Sequence, residues 1–156
     1  MNRTLRRGRP ERTRRAVLAG VGGVLCLSLV RGVHAARADL ERAIAEFAGG
    51  APIAAGRVRL DVPELVENGN SVPVVVSVDG PVTPDRFVRR IAVFNEKNPQ
   101  THVAVFELGP RAGRVHVSTR MRMADSQSIV AVAELSDGTF WSDRVEVVVT
   151  LAACLE

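Results

Sequence analysis

From residue 57 onward the chain alternates. Val58, Leu60 and Val62 recur at every second position across 57–62, and Val72, Val74, Val76 and Val78 do so across 72–78. That is the period of a strand with one buried face. Further apolar runs cover 87–94, 102–108, 114–123, 128–135 and 144–151. Turn-forming residues separate them: Asn68-Gly69-Asn70, Asp79-Gly80-Pro81, Asn98-Pro99, Gly109-Pro110 and Asp137-Gly138. Seven runs at roughly even spacing predict an all-β fold, an immunoglobulin-like seven-stranded β-sandwich. The disulfide, strand-C tryptophan and tyrosine corner of antibody domains are missing. There is no tyrosine, and Trp141 is the single tryptophan.

One short segment keeps a helical period. Leu40, Ile44 and Phe47 recur at i, i+4 and i+7, with Asp39 as the expected N-cap and Gly49-Gly50 as the stop. A short N-terminal helix is therefore expected ahead of the strands.

The first 35 residues read as an export signal. Seven arginines, the last two being Arg14 and Arg15, form a basic stretch ahead of an apolar run from Ala16 to Val30. Thr13-Arg14-Arg15-Ala16-Val17-Leu18 has the twin-arginine form of a Tat signal. Val33-His34-Ala35 places small residues for cleavage after Ala35, and Ala36-Arg37-Ala38 offers a second point after Ala38. The apolar run has 15 residues, fewer than the ~18–20 needed to span a bilayer. Leu25 ahead of Cys26 does not suit a lipoprotein site. The expected location is the periplasm, with no membrane attachment after cleavage.

Removing this leader reverses the charge. The full chain is +4, but residues 1–35 hold 8 arginines and one acid, leaving 13 basic and 16 acidic residues and a net charge of −3. The basic character belongs to the leader, and the remaining domain gives no reason to expect a nucleic-acid partner.

Across 114–123, Val115, Val117, Thr119, Met121 and Met123 fall on one face, and Arg114, His116, Ser118, Arg120 and Arg122 on the other. The arginine face is either solvated or a docking surface for an acidic partner, to whose carboxylates guanidinium groups pair well. Catalytic patterns are scarce. His102 and His116 have no close-spaced metal-binding partner, and there is no G-x-S-x-G, phosphate loop or haem-attachment motif. Neither an enzyme activity nor a metal or other cofactor is expected.

Cys154 remains. Once Cys26 leaves with the leader, Cys154 is the single thiol, on a short tail, Ala152-Ala153-Cys154-Leu155-Glu156, that follows the last apolar run. It has no internal disulfide partner. A covalent carrier, an interaction module using an intermolecular disulfide, and a small redox-active thiol protein all fit such a residue.

Several motifs carry a resemblance. Glu67-Asn68-Gly69 before Val72-Pro73-Val74, Glu96-Lys97-Asn98-Pro99, Ser118-Thr119-Arg120 and Ala133-Glu134-Leu135-Ser136-Asp137-Gly138 are similar to the sulfur-oxidation carrier family SoxY. The resemblance implies an immunoglobulin-like fold, a periplasmic heterodimer with a SoxZ-like subunit, and other sulfur-oxidation or redox enzymes as partners. It also implies that sulfur intermediates of thiosulfate oxidation ride on the cysteine of a flexible Gly-Gly-Cys-Gly-Gly arm, to which Cys154 corresponds. The domain organisation is then a Tat-type signal over 1–35, a SoxY-like sandwich over 36–151 and a mobile cysteine arm over 152–156.

The arm departs from that pattern. Ala152 and Ala153 stand for the first glycine pair, Leu155 and Glu156 for the second, which resembles SoxY-related variants with an AACIE arm. Alanine restricts a backbone that glycine leaves free, and Leu155 adds bulk beside the thiol. Glu156 and the terminal carboxylate disfavour a thiolate at Cys154 relative to the ordinary value of ~8.5 and repel anions such as thiosulfate. Salt screens these charges over about 8 Å. A carrier remains the expected role, with its cargo open.

Overall fold

Nine strands and one helix are described over residues 31–80, 83 and 85–153 of the computed structural model. The helix α1 spans Arg31–Phe47. The strands are β1 (Ile53–Ala55), β2 (Val58–Asp61), β3 (Leu65–Val66), β4 (Val72–Val78), β5 (Val88–Asn95), β6 (His102–Glu107), β7 (His116–Met121), β8 (Gln127–Leu135) and β9 (Phe140–Val149). The larger sheet runs β1-β9-β8-β5-β6, with β3 also pairing β9; the smaller runs β2-β4-β7. This is the expected all-β sandwich with an N-terminal helix, but two strands exceed the expected seven.

The two extra strands come from a chain that changes sheets. β1 pairs parallel with the start of β9, β2 crosses to pair antiparallel with β4, and β3 returns to pair parallel with the end of β9. The crossing is pinned by the Leu60 amide, which donates to Asp143 Oδ2 at 2.8 Å. Strands of three and two residues are too short to show an alternation.

Inward residues of both sheets form the main core, among them Val72, Val74 and Val76 from β4, Ile91 and Val93 from β5, and Ile129 and Ala131 from β8. β8 is buried at every position. Its second face lies under α1, where Leu40, Ala43, Ile44 and Ala48 pack on Ala92, Phe94, Val130, Val132 and Phe140. Phe47 meets Phe94 and Phe140 edge-on, with ring centroids 5.9 and 6.2 Å apart. Removing the fully buried Leu40 side chain from such a contact costs about 2–5 kcal/mol. The Glu41–Arg144 ion pair, 2.6 Å, adds a polar tie from the helix to β9.

The helix starts earlier than expected. Asp39 lies inside α1 rather than capping it, and pairs with Arg42 one turn on at 3.0 Å. Ala35, Ala36, Arg37 and Ala38 favour helix and give no reason to stop there. Both expected cleavage points therefore fall within α1. The C-terminal end is as expected: Gly49 and Gly50 take φ of 59° and 77°, and the Gly50 amide donates to the Ala45 carbonyl at 3.0 Å, the left-handed glycine stop of a helix.

The arginine-bearing strand keeps its alternation. Arg114, His116, Ser118, Arg120 and Arg122 are exposed, whereas Val115, Met121 and Met123 are buried. Regular pairing with β4 covers only the middle of the expected run, from His116 to Met121.

Candidate functional site

The tail leaves β9 under restraint. The Thr150 amide donates to the Val66 carbonyl at 3.0 Å, and its hydroxyl to the Glu67 carbonyl at 3.1 Å. The Gly69 amide then donates to the Leu151 carbonyl at 2.8 Å. Ala152 is exposed. Ala153 is buried, 6% exposed, and its amide donates to the Met123 carbonyl at 2.9 Å. Backbone hydrogen bonds thus tie the chain to the sandwich as far as Ala153. Its methyl group is buried where a glycine would bury nothing, and its amide has a backbone partner.

Gly69 lies at the centre of this junction. Its own carbonyl accepts the Met123 amide at 2.9 Å. A Cβ at position 69 would lie 2.6 Å from the Met123 carbonyl oxygen and 3.0 Å from the Ala153 nitrogen. Both neighbours are backbone, so no side chain could swing aside, and glycine is needed here for close approach of three chain segments. Asn68 shapes the same turn by accepting the Asn70 amide at 3.0 Å.

The 122–127 segment that receives Ala153 is held from its other side. Asn98 Nδ2 donates to the Arg122 carbonyl at 2.7 Å, and Asn98 Oδ1 accepts the Ala124 amide at 3.0 Å and Gln127 Nε2 at 2.9 Å. Asn95, almost wholly buried, fixes Asn98 in turn by accepting its amide at 2.9 Å. The Lys97 amide donates to Gln127 Oε1 at 2.8 Å, and the Ser128 amide to Glu96 Oε2 at 3.2 Å. The Lys97 ammonium meets Asp125 at 2.9 Å, and that hydrogen bond, then one from the Ser126 amide, hold the Asp125 carboxyl below its ordinary pKa. Ser126 Oγ accepts the Val149 amide at 2.9 Å, closing the circuit back to β9.

Residues 67–69 and 96–98, which look like polar turns in sequence, are thus two sides of one clasp at the arm's root. The clasp roles of Asn95 and Gln127 had no sequence signal: both fall just outside the apolar runs 87–94 and 128–135, and they prove to be the last residue of β5 and the first of β8. Glu134 belongs to the opposite end of β8, where Arg89 approaches at 3.3 Å and Arg90 Nε donates at 2.6 Å. His102 lies on β6 of the larger sheet and His116 on β7 of the smaller, and among the described residues no three His, Cys, Asp or Glu side chains gather into a metal site. Among the same residues no helix is long and apolar enough to cross a membrane. Cys154, Leu155 and Glu156, and Arg14 and Arg15 of the expected export signal, lie outside the described residues.

Comparison with known proteins decides the family. The sequence matches the family described as sulfur oxidation protein SoxY over residues 44–154, a stretch that includes both sides of the clasp and ends at the cysteine. The chain belongs to the SoxY family. A solved SoxY, described as the sulfur carrier protein from Chlorobium limicola f thiosulfatophilum, is 34% identical, with a TM-score of 0.62 over 74% of this chain and 99% of that one. The superoxide reductase (neelaredoxin) of Ignicoccus hospitalis has a TM-score of 0.52 at 21% identity, over 60% of this chain and 80% of that one. A putative superoxide reductase from Thermotoga maritima has a TM-score of 0.51 at 23% identity, over 63% and 87%. These two likenesses carry the sandwich fold alone. No curated protein matches this chain in sequence.

Proposed function

We propose that this protein is a periplasmic carrier that holds a covalent, sulfur-containing intermediate on Cys154 and presents it to partner enzymes of sulfur oxidation. The observation that supports this reading most is the family match, which runs through the clasp and up to Cys154. The likeness to a protein described as a sulfur carrier agrees with it. A root tied down at Ala153, with the cysteine next in sequence, suits a carrier, because the last held residue directly precedes the one that would bear the cargo.

The chemistry sets what the partners must do. Joining a thiol to a sulfur-bearing anion through a new S–S bond releases a proton and two electrons, so a partner redox enzyme has to accept those electrons. Later steps then process the sulfur while the carrier keeps hold of it. A SoxZ-like subunit is the proposed heterodimer partner, and the exposed Arg120 of β7, with Arg114 and Arg122 on either side of the strand, suits an acidic surface on it. Export rests on Arg14 and Arg15: replacing both with Lys should leave unprocessed precursor in the cytoplasm, and normal periplasmic yield from that variant would contradict a Tat route.

Exchange of Cys154 for Ser tests the carrier role in cells. It should abolish sulfur oxidation that depends on this protein, while folding changes by no more than about 0.5 kcal/mol, as for most surface substitutions. Full activity in the Cys154→Ser variant would remove the carrier reading.

A further inference from the structure

Asn68-Gly69 is the one place in the chain where glycine follows asparagine. A glycine carries no Cβ to shield its amide nitrogen, so such a pair is where an asparagine side chain most readily reacts with its own backbone. The fold cannot escape this by exchanging the glycine, because a Cβ at position 69 would collide with the Met123 carbonyl oxygen and the Ala153 nitrogen. It restrains both reacting groups instead.

The nucleophile is the Gly69 amide nitrogen, which attacks only after losing its proton. That N–H is donated to the Leu151 carbonyl at 2.8 Å. Deprotonation would leave a negative nitrogen facing a carbonyl oxygen, and a hydrogen bond made by the protonated form opposes it. Gly69 is also buried, and desolvation works against the anion in the same direction. The electrophile is the Asn68 carboxamide. Its Oδ1 accepts the Asn70 amide at 3.0 Å and Asn70 Nδ2 at 2.8 Å, which holds the group in one orientation. The Leu151 carbonyl is delivered by anchored neighbours, Thr150 through its amide and hydroxyl and Ala153 through its amide.

We propose that Asn68 is a self-modification site, kept silent while the tail segment 150–153 is seated and opened when Leu151 leaves Gly69. In the reaction, solvent base takes the Gly69 amide proton and the nitrogen bonds to Asn68 Cγ. The Cγ–Nδ2 bond then breaks, and the nitrogen takes a proton from water and leaves as ammonia. Water opens the resulting five-membered imide at either carbonyl and leaves aspartate or isoaspartate at position 68. Nothing is oxidised or reduced. Asn68 is exposed, so water reaches the imide.

The product acts back on the fold. Isoaspartate routes the backbone through the former side chain and lengthens it by one atom, immediately before Gly69. A junction with no room for a Cβ on residue 69 does not absorb that displacement, so the tail cannot reseat. The bond from Gly69 to Leu151 thus guards a one-way change, and a chain whose tail stays unseated ages at Asn68.

Peptide mapping of the full protein in mildly alkaline buffer tests this. The mass gain of an amide turned into an acid is followed on the peptide that contains residue 68, and isoaspartate is counted by enzymatic methylation. The native protein should convert at least about tenfold more slowly than the urea-unfolded chain, the margin set by one backbone hydrogen bond near the upper end of its net worth. Ala153→Pro removes the N–H that the Met123 carbonyl accepts. It should bring conversion toward the unfolded rate while the circular dichroism of the strands stays unchanged. Should that variant fail to fold, urea below the unfolding transition loosens the native chain instead, and conversion at Asn68 should rise in proportion to hydrogen exchange at the Gly69 amide. Native protein that converts as fast as the unfolded chain would overturn the proposal. So would a folded Ala153→Pro protein that converts no faster than native, or conversion that does not follow Gly69 exchange.

Discussion

Gly69 and Ala153 meet so closely that a Cβ on residue 69 would stand 3.0 Å from the Ala153 amide nitrogen. This contact sets where the tail stops belonging to the sandwich. The same glycine bonds to Leu151 through its amide and to Met123 through its carbonyl. The turn, the 122–127 segment and the tail are therefore one backbone junction, with the cysteine immediately beyond it.

Gly69→Ala should open that junction. The added methyl meets backbone rather than a movable side chain, so a destabilisation of about 1–3 kcal/mol is expected, the usual range for overpacking. Urea unfolding gives the loss, and hydrogen exchange at the Ala153 amide should speed up along with it. An unchanged unfolding midpoint and unchanged exchange would show that the three segments do not meet as described.

The Lys97–Asp125 pair predicts a local acid sensitivity. Hydrogen bonds from the Lys97 ammonium and the Ser126 amide lower the Asp125 pKa in the folded protein. The contribution is therefore complete above the unfolded value of about 3.9 and is lost as pH falls through the lower folded value. Both side chains reach solvent, so the effect should be small and local. NMR titration should place the Asp125 midpoint below 3.9, and Lys97→Met should raise it. A midpoint at or above the ordinary Asp value would contradict the pairing.

The alanines of the arm carry a prediction of their own. Ala153→Gly removes one buried methyl, about 0.8 kcal/mol of burial, and frees the backbone at that position. Exchange at residue 153 should quicken while the core strands keep their protection. Glycine at 152, 153, 155 and 156 together should make the arm a better acceptor for thiosulfate conjugation by enzymes adapted to a glycine arm. Equal acceptance by the native arm would mean that bulk and charge beside Cys154 do not select its cargo.

Much of the sandwich was legible because burial on one face leaves a period of two, as in 72–78 and 114–123. Where burial is two-sided the signal is a plain apolar run: β8 is covered by the smaller sheet on one face and α1 on the other. β1 and β3 exist because β9 offers them an edge, which no local pattern records. The helix was visible from Leu40 and Ile44, which are buried, and Phe47, which is partly buried, but Ala35, Arg37, Ala38 and Asp39 are exposed and give no apolar period by which to mark an earlier start. Cys154 stood out in the sequence as the single cysteine after Cys26 of the expected leader. The anchoring of Ala153 did not, because it depends on Gly69 and Met123, distant in sequence and brought together only by the fold.

The central claim is that Cys154 carries sulfur, and intact-mass analysis of the protein isolated from its own periplasm tests it most directly. The carrier account predicts sulfur-sized mass increments that are removed by reductant and absent from the Cys154→Ser variant. A doubled mass that collapses to the bare chain on reduction, with no such increments on the monomer, would contradict it and assign the cysteine to an intermolecular disulfide.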